Sequence, residues 1–444
     1  MLSGEIAEYT VGLQFKDLPS EVVEACKTAV TDWLGSVLAG SNEQPAKMVA
    51  SVVRRAGGIP RATLIGFNEK NSALNAALVN GTSCHILELD DLHRSSILHP
   101  AAPIISAAVA AAEDREVSGR DLVTAVVAGY EAGIRIAEAV TPSHYYYWHT
   151  TATCGTFGAA VAAAKVISLD LEGIINALGN AGSQAAGLWE FLKDGAMTKH
   201  LHPGKAAMNG LLAVFLAEQG FTGAKQILEG EKGFFKATAS EYFPERVTAG
   251  LQREYRILDN SYKVYPSCRH THSSVDLALK LVSGGLDPED ISEILIKTYH
   301  HAQDLVGGAD FETPYKAKFS LPYCVAAAMA DMKLDLSSFD FSVPPDPMII
   351  ELASRCRVVV DPELENLYPE RWAAVIEVKL KNGRVIKDRT DFPRGDPENP
   401  ASAEDIRKKF IQLSSLVWNS EKANQTLELL ETLENLDRVD ALFD

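Results

Sequence analysis

The chain has 444 residues, 46% of them hydrophobic and 23% charged, and a formal net charge of −17. That length and composition suit a globular protein with an ample core. The acidic balance argues against broad nucleic-acid or anionic-membrane binding, which needs a basic face. No apolar run reaches the roughly 18 residues of a membrane span. The opening Met-Leu-Ser-Gly-Glu-Ile reads as neither signal nor transit peptide, and the six cysteines are scattered without close pairs. These features predict a cytoplasmic chain with reduced thiols, no disulfide framework and no zinc site.

In chain order, apolar residues from Val22 to Leu38 recur at helical spacing, with Pro19-Ser20 before them and Gly40 after. Further helices are predicted at Gln44–Ala56 and at about Ser72–Val79. The next stretch, His85 to Pro100, packs three histidines (His85, His93, His99) and three carboxylates (Glu88, Asp90, Asp91) into sixteen residues. An alanine-rich run follows at once, so this polar cluster is expected at the mouth of a packed core. Carboxylates and imidazoles placed so are how proteins bring pKa values toward neutrality for proton transfer.

Long helices are predicted over Ala101–Glu113, Gly119–Val140 and Thr150–Ile167, the first and third rich in small residues and so central. An aromatic loop, Tyr145–Trp148, leads to His149 and could close a pocket. Helices are also expected at Leu171–Ala186, Gly204–Gln219 and Phe221–Leu228, with strand signals nearly absent. Beyond residue 258, alternating β-branched runs at Ile291–Tyr299 and Trp372–Leu380 predict strands. Asn382-Gly383 then marks a hairpin to Val385–Thr390. Helices at Ala401–Leu416 and Lys422–Asn435 close the chain. The reading is therefore mainly α: a large all-helical domain from both chain ends (1–258 and 396–444) around an inserted, smaller α+β lid domain (259–395).

All eleven histidines lie between residues 85 and 301, mostly in groups. Lys199-His200-Leu201-His202 is read as preceding a helix start near Gly204, and Lys263 to His272 as preceding one at Ser273. A helix N-terminus flanked by cations suits an anion, so a pocket for a small polycarboxylate or phosphate is expected. Each feature also has a plainer reading: His149 as a structural histidine, Asp90-Asp91 as caps, the lysines as surface residues and Tyr145–Trp148 as a packed loop. The His/Asp groups match no short metal signature, and the chain has no P-loop, dinucleotide fingerprint or serine elbow. No metal and no cofactor are predicted.

The combination His85-x-x-Glu-x-Asp-Asp-x-His with His99-Pro100, Thr198-Lys199-x-Leu-His202-Pro-Gly204, Lys263-x-x-Pro-x-Cys-Arg-His-Thr-His272 and Lys318-Phe319-Ser320-Leu-Pro322-Tyr323 resembles the MmgE/PrpD family in order and spacing over nearly the whole chain. The resemblance implies a helical domain with an inserted α+β lid, a homodimer, and cofactor-free chemistry on small di- or tricarboxylates. It places Asp90, Asp91, His99, His149, Lys199 and Lys263 on active-site positions. Cys268 stands where the decarboxylases of that family carry a histidine, which leaves His270 and His272 as the candidates to replace it. Glu88 stands in place of aspartate and Leu92 in place of threonine.

On this reading Asp90, Asp91, His99, His149, Lys199, Lys263 and His272 are catalytic. Glu88, His93, Tyr146, His202, Arg269 and His270 bind substrate. The leading expectation is a dehydratase- or decarboxylase-like lyase acting by proton abstraction next to a carboxylate. The alternatives are an epimerase of the same family, a metal-dependent hydrolase and a non-catalytic carboxylate-binding protein.

Overall fold

A computed structural model describes residues 1–443. The chain is mainly helical and divides into two compact units, one formed by residues 1–262 and 402–444 and the other by 263–401. No helix among the described residues is long and apolar enough to cross a membrane.

In the first unit the apolar periodicity becomes helices Ser20–Ser41, Gln44–Ala56, Ala73–Ile86, Ala101–Arg115, Gly119–Val140 and Thr150–Ile167. Several carry the start signals their sequences supply. The Ser72 hydroxyl accepts the Asn75 N–H, and Ser118 with Asp121 forms a capping box ahead of Gly119–Val140. The Ala101–Arg115 and Thr150–Ile167 helices are buried almost all round, within one continuous apolar core. Small residues let these helices approach closely. A Cβ on Gly158 would lie 2.9 Å from the Gly129 carbonyl, and one on Gly81 only 2.8 Å from Gly204 Cα. From the chain's other end, Lys409 Nζ donates to Asp32 Oδ1 at 2.6 Å, tying the Ala403–Ser414 helix to Ser20–Ser41.

Three local expectations are corrected. The helix expected from Gly204 begins at Thr198 and runs through Pro203 to Glu218. Proline there forfeits the bond to the carbonyl four residues back and crowds that carbonyl with its ring, yet the helix continues through it. Gly204 marks a close approach, since a Cβ there would lie 2.2 Å from the Leu78 carbonyl. Residues 221–228 form no helix, only turns from 225: Gly220 is left-handed (φ +82) and Gly223 donates its N–H to Asn176 Oδ1. Short pairings also occur where strand signals had been read as nearly absent, joining Ala62–Leu64 to Glu69–Asn71 and Leu92–His93 to Asn260–Ser261.

The second unit contains a four-stranded sheet in the order Cys356–Val360, Ile291–Thr298, Ala374–Leu380, Val385–Thr390. The first pair is parallel and the other two antiparallel, with Gly383 at φ +87 in the hairpin turn. The Cys356–Val360 strand, Cys-Arg-Val-Val-Val, offers no apolar–polar alternation to read, and none of its residues is buried. The helix expected from Ser273 starts at Arg269, so Arg269, His270 and His272 lie in its first turn.

Candidate functional site: a buried imidazole–carboxylate cluster

The Ala73–Ile86 helix ends in the stretch that opens the cluster. Glu88 takes a left-handed backbone (φ +57), turning the chain so that Asp90 and Asp91 follow in buried positions. His93 and Leu98 then exchange backbone hydrogen bonds across a tight loop in which Ile97 is also left-handed (φ +48). That loop returns His99 to the two aspartates just before Ala101 begins the next helix.

Asp91 acts chiefly as a structural hub. Its Oδ1 accepts the Ala101 N–H at 3.0 Å, and its Oδ2 accepts Tyr130 Oη–H and the Asn260 amide, each at 2.7 Å. Its backbone carbonyl accepts His99 Nδ1–H at 2.6 Å. Burial pushes the Asp91 carboxyl up to about 7, against the pull of those donors. Its side chain therefore anchors the loop while its backbone orients His99. Asp90 meets the imidazoles directly, with Oδ2 2.6 Å from His85 Nδ1 and 3.4 Å from His99 Nδ1.

His149 caps the Thr150–Ile167 helix from a loop, and its Nδ1 lies 3.1 Å from His202 Nδ1. Two neutral imidazoles meeting through Nδ1 must be opposite tautomers, one donating and one accepting. Burial, followed by the neighbouring His202, His85, Lys199 and His99, holds His149 well below the usual histidine range. Burial, then His85, Lys205 and Lys199, lowers His202 to about 4. Ring centroids of His85, His99 and His149 lie 4.8, 5.6 and 6.4 Å apart. Lys199, in the first turn of its helix, forms a buried ion pair with Glu88. Asp90, His99, His149, His202, Lys199 and Glu88 thus share the first unit.

His93 and Tyr146 stand apart from this group. His93 is spent on Ser96 Oγ at 2.9 Å, and burial lowers it to about 4. Tyr146 is 77% exposed; it is Tyr145 that packs on Trp189, which in turn lies 4.9 Å from His149.

In the second unit Lys263 is buried, and Arg269 binds Asp396 Oδ1 at 2.5 Å and the Arg394 carbonyl at 2.9 Å. Arg269 Nη1 also donates to His272 Nδ1 at 2.9 Å. A guanidinium has only donors, so His272 Nδ1 must accept and its Nε2–H faces the Ser267 carbonyl at 3.3 Å. That arrangement suits positioning better than proton abstraction. His270 meets Tyr299 Oη at 2.6 Å and stacks on Trp372 at 4.2 Å. Asp396, Tyr130 and Asn260 carried no sequence signal. His85 belonged to the clustered stretch but had no role assigned.

His85, Asp90 and His99 also offer donor atoms within 4.8 Å of one another, the one set among the described residues from which a cation could be held. In this arrangement the two Nδ1 atoms each lie 2.6 Å from an oxygen, that of His85 from Asp90 Oδ2 and that of His99 from the Asp91 carbonyl.

Comparison with known proteins identifies the family. The MmgE/PrpD N-terminal domain matches residues 4–246 and the MmgE/PrpD C-terminal domain residues 265–435. A cis-aconitate decarboxylase of Aspergillus terreus is 26% identical, covering 100% of this chain and 95% of the relative. One of Mus musculus is 27% identical, covering 96% of this chain and 89% of the relative. A cis-aconitate decarboxylase-like protein of Aspergillus oryzae, oryM, is 26% identical over 98% of this chain and 94% of its own length. With both domain models matched in order along nearly its full length, the chain belongs to the MmgE/PrpD family.

Proposed function

We propose that the protein is a lyase acting on a small di- or tricarboxylate, moving a proton at a carbon next to a carboxylate with its own side chains and no cofactor. The observation that carries this reading is the buried group in the first unit. His99 and His149 come from different segments, with Asp90 at 3.4 Å from one and His202 at 3.1 Å from the other. A neutral imidazole can accept a proton as general base, and a water-poor site magnifies the effect of fixed charges on a developing carbanion. Full-length similarity to relatives named cis-aconitate decarboxylases supports the reaction class and the carboxylate substrate.

Lys199 is the first unit's candidate carboxylate-binding cation. Because Glu88 already balances Lys199, a substrate carboxylate must compete with that side chain or be joined by a proton. Epimerisation is the second reading. It is favoured by two imidazoles 6.4 Å apart, spaced to serve opposite faces of one carbon, and by the Glu88 and Leu92 departures. We further propose a cytoplasmic homodimer as the working form, a reading that rests on the family resemblance.

Proton NMR in heavy water on EDTA-treated protein, with 2-methylcitrate, citrate, cis-aconitate and iminodisuccinate, tests the assignment. An alkene signal gained, lost or shifted with loss of carbon dioxide supports the lyase. Deuterium entering an α-carbon of otherwise unchanged acid replaces it with the epimerase. Silence across all four acids overturns the proposed substrate class.

A further inference from the structure

The cluster contains one imidazole that neither the motif nor the family comparison gives a task. His85 and Asp90 are 0% exposed, whereas His99 is 8% exposed. Asp90 Oδ2 is shared between the two imidazoles, 3.4 Å from His99 Nδ1 and 2.6 Å from His85 Nδ1.

Each hydrogen bond restricts the tautomers. His99 spends Nδ1–H on the Asp91 carbonyl, which leaves the lone pair on Nε2. When Nε2 takes a proton, the new positive charge is shared with Nδ1, beside Asp90. A carboxylate in that dry interior keeps its charge only when donors support it, and His85 Nδ1–H is such a donor. The other His85 nitrogen, Nε2, is buried with no hydrogen-bond partner. The polar contact the structure gives this ring is thus the one its Nδ1 makes with Asp90. Its ring is held edge-on against His99, at 4.8 Å and 67°.

We propose that His85 is a positioning residue that fixes the Asp90 carboxylate against His99 and so keeps His99 competent for proton transfer. This rests on the lyase reading above. His85 itself touches no substrate in this assignment.

The test compares full-length variants. In His85→Asn the side-chain amide can occupy the Nδ1–H position and keep the Asp90 contact; in His85→Leu and His85→Gln the contact is lost. The expectation is a fall in kcat of at least tenfold for His85→Leu and His85→Gln, with KM within twofold and most of the rate restored in His85→Asn. The double variant His85→Leu/Asp90→Asn should be no slower than Asp90→Asn alone, since residues acting as a unit are not additive. Should His85→Leu fail to fold, as a melting curve would reveal, the Gln–Asn comparison carries the decision.

A rate within twofold of wild type in His85→Gln overturns the proposal. So does an Asn variant as slow as Gln, or a loss confined to KM. Histidine-labelled NMR supplies a readout that needs no substrate: the His99 Nδ1–H signal should move in His85→Gln and stay near its wild-type position in His85→Asn. An unmoved signal in His85→Gln defeats the coupling even if turnover is seen. A moved signal with no turnover of any acid by the wild type defeats the lyase reading and leaves the His85–Asp90–His99 coupling standing.

Discussion

At the residue scale, the most informative group is Asp91, because its side chain and backbone do different work. Its Oδ1 faces the Ala101 N–H, and its Oδ2 faces Tyr130 and Asn260. Asp91→Asn keeps one acceptor and turns a donor toward another donor, at a cost of about 1–3 kcal/mol that chemical denaturation will measure. The pH dependence has a definite sign. The folded-state pKa, about 7, lies above the 3.8 of a free aspartate, so between those values the folded protein holds a proton the unfolded chain has lost. The stability Asp91 contributes is therefore full below about pH 4 and declines as pH rises to about 7. The gap between wild type and Asp91→Asn should narrow over that range and then level off; a gap that widens would show the folded carboxyl to be ionised throughout.

Lys199→Ala and His149→Ala are each expected to lower turnover at least about tenfold, the effect of losing about 1.4 kcal/mol in the transition state. Steady-state kinetics on the acid identified by NMR checks this, and near-wild-type rates in both would remove the two residues from the site. The residue types and their grouping were legible in the sequence, because His85, Glu88, Asp90, Asp91 and His99 lie within sixteen positions. Their division of labour was not. Whether an aspartate caps a helix or faces an imidazole depends on partners such as Tyr130 and Asn260, which come from 39 and 169 residues away.

At the element scale, the helix Thr198–Glu218 shows how a local signal loses to packing. Pro203-Gly204 read as a boundary, yet Gly204 lies inside the helix and lets it press on Ala73–Ile86. Gly204→Ala would set a Cβ 2.2 Å from the Leu78 carbonyl, backbone that cannot simply swing away. Overpacking of this kind costs about 1–3 kcal/mol. The helix also carries Lys199 and His202, so turnover should fall together with the denaturation midpoint. Unchanged turnover in a folded variant would show that the helix can shift without disturbing the site. A contrasting case is Gly383 in the second unit's hairpin, at φ +87 with nothing within 4 Å of a Cβ built on it. Gly383→Ala should cost about 1 kcal/mol through backbone strain alone and leave turnover unchanged.

At the scale of the whole molecule, residues 402–444 rejoin the first unit, where Lys409 meets Asp32 and Lys27 Nζ donates to the Glu431 carbonyl at 2.9 Å. Removing residues 402–444 should therefore expose core and abolish cooperative unfolding of the first unit, which circular dichroism melting will show. A truncated chain that melts as sharply as the full one would make the closing helices dispensable.

The sequence by itself determined the mainly helical class, the long helices with their caps, the hairpin at Asn382-Gly383, the grouping of the polar residues and the family. Apolar periodicity, capping side chains and turn glycines act over a few residues, so a linear reading captures them. Only the tertiary structure decided that Asp91 accepts from Tyr130, Asn260 and the Ala101 N–H, that Lys199 is paired with Glu88, that His149 meets His202, and that His85 and His99 share Asp90. Each of these depends on which groups become neighbours once water is removed, and burial reverses or magnifies the preferences that free side chains have in solution.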